Sequence, residues 1–307
     1  MVGNASILGS LVPVFLIILL GYGLQKTSFP GDSFWPGAER LIYFLLFPAL
    51  LFSSTAKATW ELHSIASMVW AVLLTMFVIT FLLIILRTKL TQNDKAFTSL
   101  FQGSIRFTTY IGLAAIFALF GDSGLQIAAV LITILIPLVN ILSVMVLVRF
   151  GGQLNGWHWI FKSVARNPLI IACVLGMAFN LTGLGMPMVF DNFIRILGRA
   201  SLPLGLLAVG ASMQLTTIKK AGPEVVKACL LKLILLPGLM WAACYMFQAD
   251  KLSTAVAVLF GALPGSPLSY ILAKQLGGDS KLMATIVTVQ TGVSMLTLPV
   301  VVVLVTL

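Results

Sequence analysis

Arg106 lies in the middle of the apolar stretch 94–120, too deep for its side chain to reach a membrane interface easily. An arginine at that depth costs at least about 2.5–3.5 kcal/mol, so it needs a partner. The chain offers no acidic one: Asp32, Glu39, Glu61, Asp94, Asp122, Asp191, Glu224, Asp250 and Asp279 all fall in loops or at the ends of apolar stretches. A guanidinium without a protein carboxylate invites an anion from outside the chain, and its fork of donors suits a carboxylate. The alternative is an arginine satisfied by helix-end carbonyls and water. Thr108 and Thr109 stand where they can cap a new half-helix just after Arg106.

A second interruption is written into Leu263-Pro264-Gly265-Ser266-Pro267, midway along the apolar stretch 252–277. Pro264 and Gly265 disfavour continuous helix, while Ser266 followed by Pro267 reads as an N-cap and first helical residue. One half-helix is expected to end near Ala262 and another to begin at Ser266. Unpaired backbone at membrane depth survives only where it lines a cavity or is buried in protein. Half-helices starting near Thr109 and Ser266 aim their positive dipole ends at one point, which again favours an anion. The expected substrate-binding residues are Arg106, Thr108, Thr109, Gly265 and Ser266, with the amides Asn140 and Gln290. Tyr110, Gly261, Pro264 and Pro267 form the expected crossover or hinge.

No intramembrane Asp or Glu is present to relay protons or to serve as a charged sodium ligand. A coupling Na+ or H+ therefore depends on carbonyls, hydroxyls or amides, with Gln102, Thr133 and Thr288 as supporting candidates. Lys232 is expected to reach back towards the cytoplasmic interface, with support of the site as the alternative. His63 and His158 read as interfacial loop residues, and Cys173, Cys229 and Cys244 as small apolar filler without metal-ligand spacing. Gly121-Asp-Ser-Gly124 mimics a serine-protease signature but sits in a short loop without a plausible histidine base, so it reads as a turn. No enzyme chemistry, metal site or cofactor is expected.

These residues must be held by membrane helices. Of the 307 residues 59% are apolar and only 9% charged, against about a quarter charged in an average soluble domain. About 20 apolar residues cross a bilayer as a helix. On that measure ten spans are expected, at 7–25, 38–55, 62–86, 94–120, 123–148, 160–181, 188–214, 223–247, 252–277 and 281–306. The first reads as a retained span rather than a removable leader, because no basic segment precedes it.

The net charge of +10 is mostly orientation. Loops after odd-numbered spans carry Lys26, Arg40, Arg87, Lys89, Lys95, Arg149, Lys162, Arg166, Lys219, Lys220, Lys227, Lys274 and Lys281. The opposite side carries Lys57, Arg195, Arg199 and Lys251. The positive-inside rule then places the odd loops in the cytoplasm and both termini outside the cell (inner) membrane. Nucleic acid is not an expected partner.

A shift of 155 residues aligns Pro13 with Pro168, Gly21 with Gly176, Pro48 with Pro203 and Thr133 with Thr288. It also lays Arg106–Tyr110 on Gly261–Gly265, so Gly261 stands opposite Arg106 and leaves room there. A unit of five spans inverts its second copy, the plan of many secondary transporters. Residues 1–150 and 151–307 are the expected repeats, with scaffold and mobile crossover regions drawn from both.

Three stretches carry a family likeness along essentially the whole chain: Leu41-Ile-Tyr-Phe-Leu-Leu-Phe-Pro-Ala-Leu-Leu-Phe52, Leu231-Lys-Leu-Ile-Leu-Leu-Pro237 and Gly261-Ala-Leu-Pro-Gly-Ser-Pro267. The pattern resembles the auxin efflux carrier family of bacterial transporters, relatives of the plant PIN carriers that share the bile-acid sodium symporter fold. The resemblance implies an all-α membrane protein of ten helices in two inverted five-helix repeats. Spans 4 and 9 would be broken and cross at the bilayer midplane, often in a homodimer. It implies a secondary transporter of a small organic anion, a mono- or dicarboxylate, working by elevator or rocking motion. Sodium-coupled symport of the bile-acid type and an anion channel are the alternatives. Two departures stand out: the long cytoplasmic loop of the plant carriers is missing, and Arg106-Phe-Thr-Thr-Tyr110 has no proline where theirs does.

Overall fold

The computed structural model describes residues 4–31, 33–58, 62–151 and 166–306, and every regular element among them is helical. Helix α1 is Asn4–Lys26, α2 Phe34–Ala56, α3 Leu62–Ile85, α4 Asp94–Ile105 and α5 Thr109–Gly151. Then follow α6 Pro168–Leu181, α7 Met188–Ala211, α8 Pro223–Met246, α9 Lys251–Ala262, α10 Leu268–Gln275 and α11 Ser280–Thr306. Among the described residues, seven helical stretches are long and apolar enough to cross a membrane, and α6 and α9 are shorter apolar helices. Asp94–Gly151 counts once in that seven although two expected spans fall within it. This is a multi-pass membrane protein.

The helix ends follow local chemistry. Gly121, at φ +60°, separates the two limbs of α5 where the Gly-Asp-Ser-Gly turn was expected. Asn93 caps α4 by accepting from the Lys95 and Ala96 amides, and Asp250 caps α9 in the same way from Leu252 and Ser253. Within the expected span 160–181, α6 starts at Pro168, where Asn167 accepts from the Leu169 and Ile170 amides and so caps it. Residues 160–165 of that span lie outside the described residues, as do His158 and Lys162. Within α2 and α8, π-helical turns at Ile42–Leu46 and Leu231–Leu235 precede Pro48 and Pro237. A proline brings no N–H and crowds the preceding turn, which a widened turn accommodates.

Small residues let the helices touch backbone to backbone, the packing that replaces hydrophobic drive inside lipid. A Cβ added at Gly21 of α1 would stand 2.2 Å from the Leu207 carbonyl oxygen of α7. One added at Gly176 of α6 would stand 2.7 Å from the Phe52 carbonyl oxygen of α2. Gly198 of α7 lies equally close on Leu50 of α2, so α1, α2, α6 and α7 form one tightly packed group.

Candidate functional site

The site is assembled where α4 ends, α5 begins and the chain between α9 and α10 runs past them. Residues 106–108 and 263–267 are not regular helix. Arg106 has left the helix at φ −78°, ψ 156°, although its amide still donates to the Gln102 carbonyl at 2.9 Å. The two irregular segments satisfy each other. Thr108 N donates to the Pro264 carbonyl at 2.9 Å, and Thr108 Oγ1 donates to the Gly265 carbonyl at 2.6 Å. The Thr108 hydroxyl therefore does not cap the following helix as expected; a buried carbonyl across the junction takes it. Its own carbonyl accepts the first helical bond, from Gly112 N at 3.2 Å, so α5 does start here.

Gln290 of α11 locks the second segment. Its Oε1 accepts from Gly265 N at 2.9 Å, while Nε2 donates to the carbonyls of Gly103 at 2.9 Å and Ala228 at 3.1 Å. One amide thus joins α4, α8, the 263–267 segment and α11. The half-helix ends at Ala262 as expected. Ser266 Oγ accepts from Leu268 N at 3.3 Å, and Pro267 has helical angles (φ −54°, ψ −31°), so the expected N-cap and first residue lie just before regular α10. Gly261 makes room for something other than Arg106. A Cβ there would meet the Pro237 Cα of α8 at 3.1 Å, so its smallness serves helix packing.

Arg106 is 8% exposed, and its Nη1 donates to Asn140 Oδ1 of α5 at 2.7 Å. Its Nε is buried without a hydrogen-bond partner among the described residues. Among the described residues the buried charged side chains are Arg106 and Lys232, and no acid is buried. The guanidinium is held on one side by a neutral amide, leaving its charge unneutralised. Gln102, one turn earlier in α4, is fully buried, with neither amide atom partnered among the described residues. Thr109 and Tyr110 are half-buried, and Tyr110 stacks on Phe47 of α2 with centroids 4.8 Å apart and planes 7° from parallel.

Lys232 corrects the sequence reading. It does not reach an interface but is fully buried on the π-helical turn of α8, with Nζ 5.9 Å from the Phe107 ring centroid and without a hydrogen-bond partner among the described residues. Burial among α4, α9 and α11 closes the route along which the chain could have extended. Phe107 in turn meets Phe260 of α9 edge-on at 5.2 Å. Thr133 and Thr288 differ despite their alignment in the repeat. Thr133 Oγ1 donates within its own helix to Ala129, and Thr288 Oγ1 accepts from Gln214 N at 3.3 Å. Cys173 and Cys244 are buried free thiols and Cys229 is a half-buried one.

Ser143 and Ser269, both fully buried with unpartnered hydroxyls, did not stand out in the sequence. Ser143 lies three residues after Asn140 on one face of α5, and Ser269 three residues after Ser266 in the first turn of α10; that spacing was the available signal.

The sequence pattern of the family described as membrane transport protein matches residues 6–155 and 158–302. A Rhizobium meliloti (strain 1021) protein named "Putative malonate transporter" is 25% identical over 89% of this chain and 88% of its own. An "Uncharacterized transporter" of Methanothermobacter thermautotrophicus is 22% identical over 94% of this chain and 95% of its own. The Escherichia coli (strain K12) "Uncharacterized transporter YfdV" is 26% identical over 87% and 88%. With two matches that together cover nearly its full length, the chain belongs to the membrane transport protein family, the auxin efflux carrier family its motifs resemble.

Proposed function

We propose that this protein is a secondary carrier of a small organic anion, a mono- or dicarboxylate, that binds at Arg106. One observation carries the reading: among the described residues a buried guanidinium has Asn140 as its hydrogen-bond partner and Nε without one, while no acid is buried. A carboxylate from outside the chain supplies the missing charge in a low-dielectric site where ion pairs are strong. The N-terminal amides of α5 and the hydroxyls of Thr109 and Ser266 surround the same junction and add donors. The malonate named for the Rhizobium relative is such an anion.

In this account the stretches containing 106–108 and 263–267 are broken spans 4 and 9, crossing at the bilayer midplane. Residues 1–150 and 151–307 are inverted repeats. Their support is a pair of contacts: Gly21 lies on Leu207 and Gly176 on Phe52, and a shift of 155 residues exchanges one pair for the other. Scaffold helices α1, α2, α6 and α7 stay fixed while the crossover region moves between the two faces. Both termini lie outside the cell inner membrane, the molecule is a homodimer, and Na+ or H+ couples transport through groups such as Gln102.

Reconstituted protein loaded with unlabelled malonate, succinate or acetate is expected to take up the labelled form by saturable counterflow for at least one of them. Ohmic single-channel currents instead of counterflow would show a pore.

A further inference from the structure

A cavity with cationic lining lies towards the Gly121 end of the first α5 limb, and what is inferred from it rests on the carrier reading above. This cavity, of about 220 Å³, opens between the end of α2, the Gly121 turn of α5 and residues 195–202 of α7. Its cationic lining is Lys57, Arg195 and Arg199, and Asp122 is the acid among its lining residues. Lys57 is ion-paired with Asp191, and Arg195 donates to Asn192 on its own helix. Arg199 makes no ion pair among the described residues. Arg195 and Arg199 are four residues apart on one helix, so their Cβ atoms lie roughly 5–6 Å apart on one face. Two guanidinium forks at that spacing match a short dicarboxylate, and either alone matches a monocarboxylate.

The cavity's floor explains why it is separate from Arg106. Leu50 of α2 and Gly198 of α7 both line it, and a Cβ at Gly198 would stand 2.8 Å from Leu50 Cα, which closes the cavity there. One turn earlier on α2, Phe47 stacks on Tyr110, the second residue of α5. Phe117, on the cavity wall, is eight residues from Thr109, or about 12 Å along a helix. We propose that this cavity is an anion-binding vestibule in which Arg195 and Arg199 collect a short carboxylate, with the Phe47–Tyr110 stack as the barrier between it and the Arg106 site. By the charge of the loops this vestibule faces the outside of the cell.

The test uses full-length protein carrying Ser53→Cys or Gln126→Cys on the cavity wall, with the wild-type thiols as the labelling blank. Each is reacted with a sulfonate-bearing and a trimethylammonium-bearing methanethiosulfonate, with and without malonate, and with neutral malonamide as control. The anionic reagent is expected to react faster, and malonate but not malonamide to slow it saturably. Arg195→Gln/Arg199→Gln, both at exposed positions, is expected to shift the anion-to-cation rate ratio by about tenfold and to abolish protection. Protection is expected to persist in Arg106→Ala, so the vestibule and the Arg106 site succeed or fail separately. A rate ratio indifferent to the double substitution, malonate protection that survives it or is never seen, or failure of both cysteines to label would each overturn the vestibule. Loss of protection in Arg106→Ala would do the same.

Discussion

Arg106 Nη1 donates to Asn140 Oδ1 at 2.7 Å, which places a neutral amide where a buried cation would ordinarily find a carboxylate. If an anion from outside the chain is what completes this site, an internal carboxylate at that position should compete with it. Asn140→Asp is therefore expected to raise the melting temperature and to weaken carboxylate binding by at least about tenfold, the effect of a charge-assisted bond worth about 1.5–3 kcal/mol. Thermal melts and binding titrations on the same preparation check it. Wild-type affinity in that variant would mean that Arg106 Nη1 does not turn towards substrate.

The paired glycine contacts make a second prediction. Gly21→Ala and Gly176→Ala each push a methyl group into backbone of the partner helix. Overpacking costs about 1–3 kcal/mol, so both should lower the melting temperature in detergent, and by similar amounts if the repeats are related. Gly9→Ala, which meets nothing within 4 Å, is the neutral control.

Lys232 is buried without a hydrogen-bond or ion-pair partner among the described residues, and an uncompensated charge in that position destabilises the fold. Lys232→Met keeps the apolar stem and removes the charge. The variant is expected to melt at a higher temperature than wild type. A clear fall would show that Nζ meets a partner and that the lysine holds the site together.

Much of this was legible in sequence because it depends on residue type. A charge inside an apolar stretch, a Pro-Gly pair and alternating basic loops mark Arg106, the 263–267 interruption and the helix ends without any knowledge of packing. What depends on rotation and long-range contact was not. Hydropathy gives the depth of Lys232 but not the face it occupies, so its burial beside Phe107 was missed. The hydroxyl of Thr108 bonds a carbonyl 157 residues away, and the amide of Gln290 reaches one 187 residues away. Neither distance leaves a local signal. Gly261 was assigned to space beside Arg106 by alignment of the repeats, whereas its neighbour is Pro237 of α8.

Titration of purified protein with a panel of mono- and dicarboxylates, wild type against Arg106→Ala and Arg106→Lys, tests most directly whether Arg106 receives the substrate's carboxylate. Saturable binding of at least one carboxylate is expected in wild type, lost in Arg106→Ala and only poorly restored by lysine, which cannot offer the planar fork. Carboxylate binding of unchanged affinity in Arg106→Ala would contradict the account.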